Sequence, residues 1–338
     1  MADRLTRNAA HRTLPSEIKA WRVHAFGAPE AMIFESIARP KPGPNEVLVR
    51  VHAAGVGPWD AWIRSGKSAL PQPLPLTLGS DLAGEVQEVG AGSVNLDIGD
   101  QVFGVTNTQF LGAYAEYAVA SASMLAQRPH SLSPVQAASV PVVAVTAWQA
   151  LFEYARLAAG QTVLIHGAAG SVGGYAVQLA HRAGIHVIAT AAGADMEYVR
   201  KLGAAQVLDY RSQRFEQEVK EIDAVLDLVG GDTQARSFAV LREGGRLIST
   251  VSQPDQQLAT DRRVTAEFFL VAVTTERLNL IAELVDRGEL KVEVGTVLPL
   301  ADARKAHMML EGRIQRPKGK IVLCVDSSEE GSSSKPAP

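Results

Sequence analysis

The run Val163-Leu164-Ile165-His166-Gly167-Ala168-Ala169-Gly170-Ser171-Val172-Gly173-Gly174 carries the clearest chemistry in this sequence. An apolar strand-like stretch enters it, glycines recur at 167, 170 and 173, and a helix-like stretch leaves it. Small Ala168 and Ala169 stand between the first two glycines, so the turn departs from GxGxxG. The physical demands of a dinucleotide turn are still met. Gly167 permits a tight exit from the strand, and Gly170 lets backbone approach a pyrophosphate with no Cβ in the way. Gly173 allows the helix to pack close to the strand, and the helix N-terminus turns free amides toward the anion. A glycine-rich turn with no ligand is the plainer alternative. The strand before, the helix after and the further strand–helix units downstream weigh against it.

The end of the next strand discriminates between nicotinamide cofactors. A site for NAD places Asp or Glu there to bond the ribose 2′-hydroxyl. This sequence has Ala189-Thr190-Ala191-Ala192-Gly193, and the first acid, Asp195, fits better as the N-cap of the following helix. With no carboxylate to repel a 2′-phosphate, NADP(H) is favoured.

These residues need a sheet to hold them. From Gly160 onward strands alternate with helices: strands at Thr162–His166, His186–Thr190, Val207–Asp209, Ala224–Asp227 and Arg246–Thr250, helices at Ser171–Ala183 and Met196–Leu202. That alternation predicts an α/β fold with a doubly wound parallel sheet of Rossmann type. Residues 18–140 read instead as β-rich: segments such as Val47–Val51 and Gly84–Val89 are set apart by turn-rich stretches at Pro40–Pro44 and Pro71–Pro75. After a helix at Leu278–Arg287, short elements run to Val325 and return to the first domain. The expected division is 18–142 with 278–326 for the β-rich domain and 143–277 for the cofactor domain. Residues 1–17 and 327–338 are expected to be flexible; the tail DSSEEGSSSKPAP is too polar to offset its ordering entropy.

Composition narrows the function. A chain of 338 residues has room for two domains, and a net charge of −3 offers no basic field to nucleic acid. No apolar run reaches the roughly 18–20 residues that cross a bilayer, so no membrane partner is expected. The single cysteine, Cys324, excludes an internal disulfide or a multi-cysteine metal site and reads as a small buried strand residue. Arg4, Arg7, Arg12 and Lys19 near the start lack a following apolar segment, and Asp3 and Glu17 argue against a mitochondrial presequence. The cytoplasm is the default compartment.

Several ordered motifs between Trp21 and Val325 now carry a resemblance: the glycine turn, Ala91-Gly92-Ser93-Val94 leading to Gly99-Asp100-Gln101-Val102, Gly112–Tyr117, Asp227-Leu228-Val229-Gly230-Gly231 and Gly319–Leu323. In these the chain resembles the medium-chain dehydrogenases/reductases, in their zinc-independent quinone oxidoreductase (zeta-crystallin-like) branch. The resemblance implies a GroES-like first domain, a Rossmann second domain and a cofactor between them. It places Thr146, Ala169, Gly170, Ser171, Val172, Gly193, Tyr210 and Arg313 along the dinucleotide, the last two at the 2′-phosphate, with a strand-end tyrosine and a solvated loop arginine as the plainer alternatives. It sets Val229, Val251, Phe269 and Val271 around the nicotinamide, although such apolar residues equally suit a plain core. It also implies a homodimer.

Two departures matter. Zinc enzymes of this superfamily carry a Cys near position 57 and a His near position 80, where this chain has Gly55–Asp60 without cysteine and Leu78-Gly79-Ser80-Asp81. Two of about three ligands for a catalytic zinc are thus missing, and no metal site is expected. Quinone reductases often place an asparagine after Gly-Val, whereas here Gly55-Val56 leads to Gly57-Pro58-Trp59-Asp60. Without a Lewis acid the hydride acceptor must already be electrophilic, as a quinone or similarly activated carbonyl is. Trp59 and Asp60 are the expected catalytic-wall residues, with a helix cap as the alternative for Asp60. Reduction of an α,β-unsaturated carbonyl or enoyl thioester would use the same geometry. A NADPH-binding protein with a structural or regulatory role is a third possibility.

Overall fold

The computed structural model describes residues 14–93 and 95–325. Of the stretches expected to be flexible, 1–13 and 327–338 lie outside it, as does Val94, while Glu17 already begins a strand. The first part of the chain forms β1 (Glu17–Val23), β2 (Met32–Ala38), β3 (Glu46–Val56), α1 (Pro58–Arg64), β4 (Leu76–Thr77), β5 (Asp81–Val89), β6 (Gln101–Val105), β7 (Tyr117–Ser121) and β8 (Leu125–Gln127). Val47, Val49 and Val51 of β3, spaced by two, share one core, as the pleat of a strand requires. β3 pairs antiparallel with β5, and its first half also with β7. Two short helices, α2 (Pro134–Ala138) and α3 (Pro141–Trp148), lead out of this region.

The next segment holds β9 (Thr162–Ile165), α4 (Ser171–Arg182), β10 (His186–Ala191), α5 (Met196–Lys201), β11 (Gln206–Asp209), α6 (Phe215–Glu218), β12 (Ile222–Asp227), α7 (Gly231–Ser237), β13 (Leu241–Ser249), α8 (Gln256–Asp261) and β14 (Thr265–Phe268). Its strands form one parallel sheet in the order β11-β10-β9-β12-β13-β14. Val163 and Ile165 enter the core on one face and Leu164 the core on the other, which explains an unbroken apolar run rather than an alternating one. The order reverses between β9 and β12, and ligands of such sheets bind beyond the strand ends at that point.

The chain then runs through α9 (Thr275–Asp286), β15 (Val294–Pro299), α10 (Ala303–Leu310) and β16 (Lys320–Cys324). β16 pairs antiparallel with the end of β3, so the last strands close the first sheet. Cys324, expected to be buried, is partly exposed at the end of β16. Among the described residues no helix is long and apolar enough to cross a membrane.

Candidate cofactor and substrate cleft

The glycine turn has the geometry its spacing predicts. Gly167 lies in the left-handed region at φ +69° and accepts a hydrogen bond from the Gly170 amide at 3.0 Å. A Cβ at Gly173 would sit 2.3 Å from the Gly167 oxygen and 2.6 Å from the Ala168 Cα, so this glycine is demanded by packing of α4 on the turn. At Gly170 the nearest atom to a Cβ would be the Gly167 oxygen at 3.2 Å. Gly170 caps α4 with no side-chain hydrogen bond. The amides of Ser171 and Val172 follow it in the first turn, where the helix dipole favours an anion. A small recess of about 30 Å³ opens beside the turn, lined by Ala169, Gly170 and Ser171 and by Gly319 and Lys320 of the β-rich domain.

The ends of β12 and β13 are braced from within. Asp227 is fully buried, and its carboxylate accepts from the Val229 and Gly230 amides at 3.0 and 2.8 Å, Gln234 Nε2 at 2.9 Å and Ser249 Oγ at 2.9 Å. This acid of the Asp-Leu-Val-Gly-Gly run therefore shapes a loop. The loop leaves Val229 51% and Val251 39% exposed beside each other, with a Cβ at Gly167 only 3.4 Å from Val229. Exposed apolar residues at strand ends suit a flat aromatic ligand. Phe269 does not join them: it is buried and stacks on Tyr154 at 4.2 Å, which makes it core. Val271 packs partly against the same core. Thr146, buried on α3, donates its hydroxyl to the Val142 carbonyl at 2.6 Å and keeps only acceptor capacity for a ligand. His166 is buried between Thr190 and Ser237, and burial pushes its pKa down to about 4, so the ring is neutral. Ser237 donates its own proton to the Thr233 carbonyl, so His166 Nε2 must be the donor to Ser237.

The opposite end of the turn needs corrections. Gly193 follows β10 and Asp195 stands at the N-cap of α5, both as expected, but the Asp195 side chain makes no cap bond and pairs with Lys318. β10 itself ends without an acid, yet β11 brings Asp209 Oδ2 within 3.0 Å of where a Cβ on Gly193 would stand. Tyr210 is exposed at the end of β11, and Arg211, not Arg313, lies over its ring at 5.8 Å. Arg313 pairs instead with Glu30 at 2.7 Å, an ion pair that lowers the Glu30 pKa and raises that of the arginine. Lys318 also lies over the Tyr198 ring at 5.6 Å. Arg211 and Lys318 escaped the sequence. Adjacency to Tyr210 signals the first, and only the return of the chain through β16 reveals the second.

The β-rich wall turns on α1. Gly57 is its N-cap and Asp60 its third residue, reaching back to the Gly57 amide at 2.8 Å while accepting from the Tyr114 hydroxyl at 2.9 Å. Asp60 is fully buried, and desolvation pushes its pKa up to about 7. It is a helix cap sealed from the cleft, which corrects its assignment to the catalytic wall. Trp59 donates from Nε1 to Ser80 Oγ at 3.1 Å. A Cβ on Gly57 would lie 2.3 Å from the outer ring atoms of Trp59, so an asparagine in that place would require the indole to move. Over the ring, at 4.2 Å, sits Lys320 Nζ, which bonds Asp81 Oδ2 at 2.9 Å; Asp81 Oδ1 accepts from the Val142 amide at 3.1 Å. Burial raises the Asp81 pKa, and the lysine opposes that shift. A zinc ion does not fit these donors. The serine hydroxyl holds the indole, the carboxylate is engaged at both oxygens, and an ammonium already occupies the neighbourhood.

Comparison with known proteins gives this geometry its context. A family profile described as "Alcohol dehydrogenase GroES-like domain" matches residues 43–130, and one described as "Zinc-binding dehydrogenase" matches residues 202–323. Human quinone oxidoreductase is 32% identical over 307 residues, covering 86% of this chain and 93% of the relative. The structure of the quinone oxidoreductase from Coxiella burnetii superposes with a TM-score of 0.85 at 34% identity, covering 92% of this chain and all of that one. The Escherichia coli quinone oxidoreductase complexed with NADPH superposes with a TM-score of 0.81 at 28% identity, covering 90% of this chain and 99% of that one. With the parallel sheet, the glycine turn and the closing β-rich domain in place, the chain belongs to the medium-chain dehydrogenase/reductase family of oxidoreductases, in its quinone oxidoreductase branch.

Proposed function

We propose that this protein transfers hydride from NADPH to a quinone or similarly activated carbonyl without zinc. The observation that carries the proposal is a bare helix N-terminus beside exposed Val229 and Val251 at the strand ends, in a chain whose Ser80 and Asp81 are engaged in ways that suit no zinc. When bound, the cofactor supplies a hydride at its nicotinamide C4. The amides after Gly170 hold the pyrophosphate, Gly170 lets backbone approach it, and Gly167 makes the tight exit from β9. Tyr210, Arg211 and Lys318 flank the 2′-phosphate, which would compete with Asp195 for Lys318. Val229 and Val251 support one face of the ring, while Trp59, fixed by Ser80 and Lys320, shapes the acceptor side. A quinone suits this chemistry because its reduction leaves a hydroquinone anion that needs no strong acid, so the protein contributes orientation and exclusion of water. We place this activity in the cytoplasm. A homodimer would pair the edge strand β14, which has β13 as its one neighbour in the sheet.

The test is NADPH oxidation monitored with panels of quinones and of α,β-unsaturated carbonyls, before and after prolonged chelation. Quinone turnover that survives chelation is expected. A stoichiometric zinc whose removal abolishes turnover would sink the zinc-free reading, and turnover on enones alone would move the acceptor class. Light scattering of the same preparation should give a dimer; a stable monomer would refute the two-fold pairing.

A further inference from the structure

We propose that Gln149, Glu153 and Arg277 form a clamp on the loop 269–274, and act as positioning residues for hydride transfer. The proposal rests on the cofactor site described above. Its starting point is an irregularity in a helix. Beyond α3 the chain continues through Gln149–Tyr154 in a wider π turn, with the Ala155 amide bonding the Ala150 carbonyl. Such turns are rare and cluster at functional sites because they give up regular hydrogen bonding to re-aim side chains.

Here the side chain re-aimed is Gln149, which is buried. Its Oε1 accepts from the Ala272 amide at 2.9 Å, and its Nε2 donates to Glu153 Oε2 at 3.0 Å. Glu153 receives Arg277 through Nε at 2.7 Å and Nη2 at 2.8 Å. Arg277 Nη1 in turn donates to the Ala272 carbonyl at 2.8 Å. Both backbone polar groups of one residue are thus held by two side chains tied through one carboxylate. The pair is ionised: Arg277 holds Glu153 below the usual carboxylate range, and Glu153 raises Arg277.

The place of the clamp gives it a consequence for chemistry. The loop leaves β14 where Phe268 lies beside Ser249, so it rises next to the strand end that carries Val251. It brings Leu270, 53% exposed, and Val271 to that edge. At its far end Thr275 Oγ1 donates to the Leu125 carbonyl of β8 at 2.7 Å, so the same loop is moored to the β-rich domain. The clamp therefore holds the loop that leaves the strand-end edge beside Ser249, and the same loop is moored to the β-rich domain. A small displacement there alters the distance over which hydride moves, to which rate is steeply sensitive.

The experiment uses the full chain with Gln149→Leu, which keeps the volume and removes both hydrogen bonds. Arg277→Met opens the clamp from the other side and carries the same expectation should the first variant not fold. NADPH dissociation constant, kcat and the primary isotope effect with NADPH deuterated at the transferred position are measured. Expected are a fall in kcat of about tenfold, a larger isotope effect, NADPH affinity within about twofold, and a double variant no worse than either single one. An unchanged isotope effect, with kcat falling only as the folded fraction falls, would make the clamp a plain structural tie and overturn the proposal. A parent protein that neither binds nor oxidises NADPH would instead remove the cofactor reading, and the proposal with it.

Discussion

The two walls of the cleft recognise by different means. The wall of parallel strands works through backbone: the turn of Gly167–Gly173, the amides at the start of α4, and a loop whose shape is set by buried Asp227. Its parts are contiguous in sequence and need only glycines and one acid in the right register. The β-rich wall works through side chains drawn from distant positions, Trp59 on Ser80, Lys320 on Asp81 and Tyr114 on Asp60. A backbone site tolerates few changes, whereas a side-chain wall can be rebuilt by paired substitutions: a side chain at Gly57 would displace the ring of Trp59.

The sharpest way to break the contrast is within the turn itself. Gly173→Val drives a side chain into backbone atoms at 2.3 and 2.6 Å that cannot yield, so destabilisation above about 4 kcal/mol is expected in thermal unfolding. Gly170→Val meets one oxygen at 3.2 Å and should leave the fold largely intact while weakening NADPH at least about 100-fold, roughly 2.7 kcal/mol. Binding within about threefold of the parent would put the pyrophosphate elsewhere.

On the side-chain wall the expected effect is on stability and its pH dependence. Asp60 titrates near 7 in the folded protein against a reference of 3.8, so the folded state retains a proton that the unfolded chain releases. The associated stability is fully present below about pH 4 and is lost as pH rises toward 7, by up to ~4 kcal/mol. Asp60→Asn should flatten that slope and raise the Tm at pH 8 but not at pH 4. Identical slopes for parent and variant would show that Asp60 is ionised throughout.

The smallest effect concerns the basic residues at the adenosine end. Lys318→Ala should weaken NADPH by about five- to tenfold, less than a fully desolvated arginine–phosphate contact, and leave NADH unchanged. Arg313→Ala, which releases only an exposed pair with Glu30, should change NADPH by less than about twofold. A larger loss for Arg313 than for Lys318 would mean that the arginine leaves Glu30 for the phosphate.

What the sequence determined by itself is whatever depends on short-range spacing. Apolar period and glycine placement are local properties, so strands expected at Thr162–His166 and Ala224–Asp227 form at Thr162–Ile165 and Ile222–Asp227, whereas the one expected at Arg246–Thr250 starts earlier and forms at Leu241–Ser249. Tertiary structure alone decided which ionic groups meet. Asp195 caps α5 by position, yet the chain just before β16 brings Lys318 to its carboxylate, and the turn after α10 sets Arg313 against Glu30. Phe269 could have faced a ligand, but Tyr154 lay beside it. Charged and aromatic side chains reach several ångströms from their backbone and choose partners across hundreds of residues, so their roles follow from packing, whereas a turn of glycines carries its geometry in its own φ angles.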